Sequence, residues 1–289
     1  MQLHCPAKIN LTLEVLARRD DGYHALRSLM VPVALGDELT VESARDFAFT
    51  CDDSSLGGDN NLVVRAALAV DPNAAVRINL RKRVPMQAGL GGGSSDAASV
   101  LIAAMNGAFG DVGRRDWLAI ARSLGSDVPF FLAGTGALVE GTGERVTAVG
   151  ALPPWHLLIV KPPAAVSTAE AYAELDRHER PSRPRNTSVS LLALDALQRG
   201  NFDDVERLLS NDFNDVIAAH TPEVARALDA LRAAGATNAL LSGSGSAVFT
   251  LARERNQVAS IADRLDLPET YQCYETHFAP ATAWSAGLA

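Results

Sequence analysis

The run Pro85-Met86-Gln87-Ala88-Gly89-Leu90-Gly91-Gly92-Gly93-Ser94-Ser95 is the part of this 289-residue chain that permits the fewest structures. Glycines so closely spaced neither fill a core nor propagate a regular element, because glycine loses more backbone freedom on folding than any other residue. They do allow left-handed dihedrals and let several main-chain N–H groups converge on one anion, where side chains would block the approach. The flanks decide between a loose turn and such a cradle. Val76, Ile78, Leu80 and Val84 mark a strand leading in, and residues 97–108, rich in Ala, Leu, Ile and Met, read as a helix leading out. Ser94-Ser95-Asp96 opens that helix, so its first amides, its dipole and two hydroxyls face whatever the loop holds. Strand, glycine loop and helix in this order predict a phosphate-binding loop.

Two nucleotide loops fit poorly. A Walker loop requires G-x-x-x-x-G-K followed by Ser or Thr, and no lysine follows these glycines. A dinucleotide fingerprint reads G-x-G-x-x-G, whereas Gly89-Leu90-Gly91-Gly92-Gly93-Ser94 fails at its sixth position. A nicotinamide-dependent oxidoreductase is therefore the weaker class.

Upstream, Ile9, Leu11, Leu13 and Val15 alternate with Lys8, Asn10, Thr12 and Glu14, the period of a strand with one buried face. Lys8 and Asn10 thus point the same way. Asp20-Asp21-Gly22 signals a turn that delivers Tyr23 and His24, and residues 28–35 and 39–42 read as further strands of a β-meander. Asn61 stands before Leu62 and an apolar run as a helix N-cap, and residues 115–124 form an amphipathic helix for which Gly125 is the expected left-handed cap.

Pro153-Pro154 interrupts both helix and sheet and suggests a domain junction, giving units 1–152 and 153–289. Beyond it, residues 155–160 read as a strand, 178–186 as a loop, and 189–198, 203–209 and 222–234 as helices. Strands at 238–241 and 247–251 flank Ser242-Gly243-Ser244-Gly245-Ser246, and a helix at 257–265 and a strand at 272–278 follow.

Charge narrows the partners. With 26 basic against 34 acidic residues the net charge is -8, which argues against a broad surface for nucleic acid or anionic lipid and favours a small-molecule substrate. No apolar run reaches the roughly 18 residues of a membrane span, and Met1-Gln2-Leu3-His4-Cys5-Pro6 lacks the pattern of a signal peptide, so the expected location is cytoplasmic. Cys5, Cys51 and Cys273 are too far apart for a CxxC site and are expected to be isolated, buried or half-buried thiols.

Three segments carry a family resemblance. Pro6-Ala7-Lys8-Ile9-Asn10-Leu11, the Pro85 to Ser95 loop followed by Asp96-Ala97-Ala98, and Ser242-Gly243-Ser244-Gly245 occur in the order found in the kinase superfamily named for galactokinase, homoserine kinase, mevalonate kinase and phosphomevalonate kinase. The chain resembles that superfamily over its whole length. Asp21-Gly22-Tyr23-His24 and Leu124-Gly125-Ser126-Asp127-Val128-Pro129-Phe130-Phe131 are similar to the branch that acts on a cytidine diphosphate-linked methylerythritol in the non-mevalonate isoprenoid pathway. The resemblance implies a two-domain α+β fold with the active site in the interdomain cleft: an ATP-binding unit, 1–152, and a C-terminal unit, 153–289. It implies ATP as donor, assisted by Mg2+, a 2-hydroxyl as acceptor, and a monomer or weak homodimer.

Residue roles follow from the same match. From the residues alone Asp127 is either a helix cap two places before Pro129 or a carboxylate within reach of a substrate hydroxyl; the resemblance implies the catalytic base, with Lys8 as its electrostatic partner. It implies a cytidine pocket of Tyr23 and His24, with Tyr172 where relatives often carry Phe, and Asn10 on the methylerythritol part. Pro85, Met86, Gln87, Ala88, Gly89, Leu90, Gly91, Gly92, Gly93, Ser94 and Ser95 would hold the ATP phosphates, and Asn61, Leu62 and Lys82 would lie near its base and ribose. Arg81-Lys82-Arg83 also reads as a solvated strand edge, and residues 242–246 either approach the phosphate or only form a turn. The sequence leaves the magnesium ligands open between Ser95, which is plausible, and a shell supplied mostly by the phosphates and water. Gln87 departs from the family pattern, in which many relatives carry glycine. A nucleotide-binding sensor without catalysis is the competing non-enzymatic reading, against which Lys8 and Asp127 both speak.

Overall fold

The computed structural model describes residues 1–18, 22, 24–177 and 188–280. Asp20, Asp21, Tyr23 and the loop expected at 178–186 therefore lie outside the described residues. Strands β1 (Gln2–Arg18) and β2 (His24–Ser43) form a long antiparallel ribbon, the centre of a seven-stranded sheet. The two strands expected at 28–35 and 39–42 are one, because the pairing slips between Pro6 and Ala7 and the intervening residues bulge without turning back. Gly36 makes the passage possible: a Cβ there would sit 2.5 Å from the His4 ring.

A meander does not follow. Strand β3 (Ala48–Cys51), helix α1 (Leu62–Val70) and strand β4 (Val76–Arg81) come next, and β4 inserts between β2 and β3, pairing antiparallel with β2 and parallel with β3. Asn61 caps α1 as expected, its Oδ1 accepting from Val63 N at 2.9 Å.

Helix α2 (Gly92–Met105) starts two residues before Ser94, where the sequence reads its opening, since left-handed Gly91 (φ 70°) serves as its N-cap and the remaining glycines and serines form its first turn. Ala97, Ala98, Ala103 and Ala104 are buried in it, small enough to let the helix lie close against the ribbon and α1. Helices α3 (Trp117–Leu124) and α4 (Val128–Leu132) cover its far side, and strands β5 (Ala137–Gly141) and β6 (Arg145–Ala148) branch from β2. Gly125 ends α3 in an extended conformation (φ 168°), which replaces the left-handed cap expected there.

The later chain builds a second, four-stranded antiparallel sheet from β7 (His156–Lys161), β9 (Leu240–Leu241), β10 (Val248–Ala252) and β11 (Gln272–His277), in the order β11-β7-β10-β9. Around it stand α5 (Thr168–Arg177), α6 (Val189–Gln198), α7 (Phe202–Leu208), α8 (Asn214–His220), α9 (Pro222–Ala233) and α10 (Arg255–Ala262). Strand β8 (Ser210–Asn211) returns to the first sheet and pairs in parallel with Thr12 and Leu13. One apolar core spans the join: Ile9, Leu11, Leu29 and Val31 pack with Leu157, Ile159, Ala193 and Phe249. Each of these Val, Leu, Ile and Phe side chains contributes about 1.5–3 kcal/mol by burial. Cys5 is buried and Cys51 half-buried, whereas Cys273, expected to be covered, is exposed on the edge strand β11.

Candidate active site

Both faces of β1 are buried, not one, and the polar face is where the site begins. Lys8, Asn10, Thr12 and Glu14 are at most 3% exposed. Burying such groups is costly unless each is bonded, and a relay satisfies them. Lys8 Nζ donates to Asn10 Oδ1 at 2.5 Å, Asn10 Nδ2 to Ser28 Oγ at 2.8 Å, and Ser28 Oγ to the Thr12 carbonyl at 2.6 Å. Lys8 and Asn10 do share a face, as the alternation predicts. Burial pulls the Lys8 ammonium below the ordinary lysine value, and the Asp127 carboxylate, 3.9 Å from Nζ, acts in the opposite direction.

Asp127 occupies the N-cap position of α4, yet its side chain makes no capping hydrogen bond. Its carboxylate lines the cleft instead, partly open at 30% exposure. The loop carrying it is braced by the β5–β6 hairpin, where a Cβ on left-handed Gly143 would lie 2.5 Å from the Ser126 carbonyl.

The glycine run is held from two sides. Lys8 N donates to Leu90 O at 2.9 Å, tying it to β1. Ala247 N donates to Ala88 O at 3.0 Å, and Ser242 Oγ to Gly89 O at 3.2 Å, tying it to the β9–β10 connection. Residues 242–246 thus form a hairpin turn that packs on the glycine run, with Gly243 and Ser244 on the cleft wall. A Cβ on Gly89 (φ 74°) would stand 2.1 Å from Ser242 O, and one on Gly91 would press on Phe131 and Lys8. Gln87 adopts the left-handed conformation at φ 50°, which glycine reaches without strain. Met86 is half-exposed and Ser95 Oγ is buried with no partner among the described residues.

Lys82 is not a solvated edge. Arg81 and Arg83 are exposed, but Lys82 turns inward, bonds to Asp37 and donates to Asp96 Oδ2 at 2.8 Å. Asp37, fully buried, also accepts from Arg83 N at 2.5 Å and Val84 N at 2.8 Å, which fixes the chain as it leaves β4 for the glycine run. Burial, with the neighbouring Asp37 charge, pushes the Asp96 carboxyl up to about 8, against the pull of Lys82. Burial lowers Lys82 less than Asp96 and Asp37 raise it, so its ammonium ends above the ordinary value. Asp37 escaped sequence reasoning because Gly36-Asp37 between two apolar runs reads as a turn.

A cleft of about 790 Å³ gathers Lys8, Asn10, His24, Gly89, Gly91, Asp127, Tyr172 and Gly243. At one end His24 stacks on Tyr172 with centroids 5.3 Å apart and planes 12° apart, and Tyr172 meets Phe213 edge-on at 4.9 Å. Tyr23 lies outside the described residues. Phe213 and Thr168, which hydrogen-bonds to Ser244 at 3.0 Å, line the cleft without having been singled out from the sequence. Asn61, Leu62, Lys82 and Ser95 do not line this cleft. Asn61 and Leu62 begin α1, and the Leu62 methyl would lie 3.7 Å from a Cβ on Gly93, beside the first turn of α2. Among the described residues no helix is long and apolar enough to cross a membrane, and no group of three His, Cys, Asp or Glu is arranged to hold a metal.

The comparisons with known proteins agree with one another. The model of the GHMP kinases N terminal domain matches residues 61–135 and that of GHMP kinases C terminal matches 193–268. The chain is 42% identical over 266 residues to the 4-diphosphocytidyl-2-C-methyl-D-erythritol kinase of Deinococcus radiodurans, covering 90% of this chain and 87% of that one. It is 36% identical to the enzyme of the same name from Caldicellulosiruptor saccharolyticus, with 92% of each covered. Among solved structures, a 4-(cytidine 5'-diphospho)-2C-methyl-D-erythritol kinase superposes with a TM-score of 0.79 at 37% identity, covering 96% of this chain and all of that one. A homoserine kinase from Cytophaga hutchinsonii, at 19% identity and a TM-score of 0.68 over 97% of this chain and 95% of that one, shares the fold.

Proposed function

Because the chain belongs to the GHMP kinases, and among them to the 4-diphosphocytidyl-2-C-methyl-D-erythritol kinases, small-molecule kinases that use ATP in the isoprenoid pathway, we propose that it phosphorylates the 2-hydroxyl of that cytidine compound. The observation that carries the proposal is the meeting of Lys8 and Asp127, 3.9 Å apart, on the wall of a cleft that the glycine run also lines. Asp127, unengaged in capping, is the base; Lys8 is its electrostatic partner.

In this reading residues 1–152 form the ATP-binding unit and residues 153–289 the second wall. The acceptor oxygen bonds to the γ-phosphorus as the bond from that phosphorus to the bridging β–γ oxygen breaks. The hydroxyl proton passes to Asp127, and ADP leaves with the bond's electron pair. Lys8, held by Asn10, keeps positive charge beside the reacting oxygens where burial strengthens it. Amides at the start of α2 and the left-handed backbone at Gln87, Gly89 and Gly91 cradle the nucleotide phosphates. Asn61 and Leu62 flank the nucleoside, while Lys82 acts from below the loop through Asp37 and Asp96.

Ser95 fits a magnesium ligand, since its buried hydroxyl has no other partner among the described residues. A magnesium ion bound there would neutralise charge on the transferring phosphates. The cytosine ring occupies the His24 and Tyr172 end of the cleft, with Tyr172 as the second stacking aromatic, and Asn10 faces the methylerythritol.

ATP consumption by the purified chain, measured with the cytidine compound, homoserine and mevalonate in parallel, tests the assignment. Turnover of the cytidine compound alone is expected. Phosphorylation of homoserine or mevalonate in its place would overturn the substrate, and an Asp127→Asn variant with normal turnover would overturn the base.

A further inference from the structure

His24 and Asp176 form a pair whose chemistry fixes the direction of a hydrogen bond. His24 Nε2 lies 3.1 Å from Asp176 Oδ2. A carboxylate oxygen only accepts, so the hydrogen between them sits on Nε2. In the neutral ring Nδ1 is then left with a lone pair. That atom is buried, and among the described residues it has no hydrogen-bond partner. A buried acceptor left so is destabilising, and a ligand donor would relieve it. The ring has little freedom to turn away, being 8% exposed and stacked on Tyr172, which is itself braced edge-on by Phe213. His24 lines the cleft, whereas Asp176 does not and meets the imidazole from behind it.

We infer that Asp176 is a positioning residue that makes His24 Nδ1 a hydrogen-bond acceptor for the exocyclic amine of cytosine, so that the pair selects cytidine over uridine. The inference rests on the cytidine-linked substrate proposed above. Cytosine presents an amine donor at the position where uracil presents a carbonyl acceptor. Against Nδ1 the first makes a hydrogen bond; the second sets two lone pairs face to face and leaves both unpaired. One such mismatch in a buried site is worth about 10- to 100-fold in kcat/KM. The opposite tautomer would reverse the preference, which is why a carboxylate that does not touch the base decides which base is read.

Two measurements test this on the full chain. In the wild type labelled with 15N-histidine, with His24 assigned by loss of its signals in His24→Gln, long-range proton–nitrogen spectra are expected to show the Nε2–H tautomer. The Nδ1–H form would overturn the inference without any need for an Asp176 variant to fold. In kinetics with the cytidine and uridine diphosphate-linked methylerythritols, the wild type is expected to prefer the cytidine compound at least about tenfold. Asp176→Asn, whose amide can offer either polarity to Nε2, is expected to raise KM for the cytidine compound about fivefold, with kcat within about twofold, and to erode the preference; Asp176→Glu is expected to restore it. If the wild type phosphorylates neither compound, the substrate proposal fails and takes the base selection with it. If it uses the cytidine compound and Asp176→Asn keeps the full preference, the substrate stands and the role of Asp176 is wrong.

Discussion

Lys8 Nζ lies 3.9 Å from Asp127 Oδ2 while donating to Asn10 Oδ1 at 2.5 Å, so one buried ammonium is oriented by an amide and aimed at a carboxylate. Asp127→Asn keeps the shape of that site and removes the proposed proton acceptor. It is expected to lower kcat by about 10²–10⁴ with little change in ATP affinity. Titration calorimetry with a non-hydrolysable ATP analogue beside steady-state kinetics separates the two effects; a parallel loss of binding would mean that Asp127 holds the nucleotide.

The buried lysine also predicts an alkaline limb. In its proposed role the charged form is the useful one, and burial lowers its pKa, so kcat/KM should fall as pH rises through a value below 10.5. The stability contribution has the opposite sign. Between the lowered folded value and 10.5 the unfolded chain binds more protons, so this group's contribution rises with pH over that window and is lost as pH falls through the folded value. A kcat/KM profile flat to pH 10.5 would show that Lys8 charge is not needed.

What the chain discloses unaided is what short-range chemistry decides. The alternation at Lys8, Asn10, Thr12 and Glu14 announces a strand and a shared face, and the glycines at 89 and 91–93 announce a permissive backbone. Burial of that polar face was not legible, because α6 and β8, which help to cover it, come from nearly 200 residues further on; Glu14 accepts from Ser188 Oγ at 2.6 Å and Thr12 donates to Ser190 Oγ at 2.8 Å. The start of α2 was misjudged because glycine propensity argues against helix, and tertiary packing overrides it at Gly92 and Gly93. Asp37 and Asp176 carry no local signal: each matters through a residue that the fold alone brings to it, Lys82 and His24.

Lys82, Asp37 and Asp96 form an ion cluster where the chain leaves β4 for the glycine run. Asp37→Ala would strip the Arg83 and Val84 amides of their acceptor and remove one of the two carboxylates on a largely buried lysine. Removing one member of a buried ion cluster typically costs about 3–5 kcal/mol. A fall of that order in unfolding free energy by urea titration is expected, with a raised KM for ATP in whatever fraction stays folded. A change under about 1 kcal/mol would mean that water replaces the carboxylate without loss.

Gly89→Ala would test the seam between the two loops, since its Cβ has only 2.1 Å to the Ser242 carbonyl and φ is 74°. Backbone must move on one side or the other, and ATP affinity is expected to drop by at least about tenfold, whereas Gln87→Gly should be nearly neutral. The left-handed conformation at φ 50° costs a glutamine about 1–2 kcal/mol, which glycine relieves, but glycine adds about 0.5–1 kcal/mol of unfolded-state freedom. Gln87→Val, β-branched at the same φ, should lose more than either effect. Thermal shifts and KM for ATP across the three variants check the order. Equal tolerance of Ala at 89 and Val at 87 would mean that the loop is not held in this conformation when it binds nucleotide.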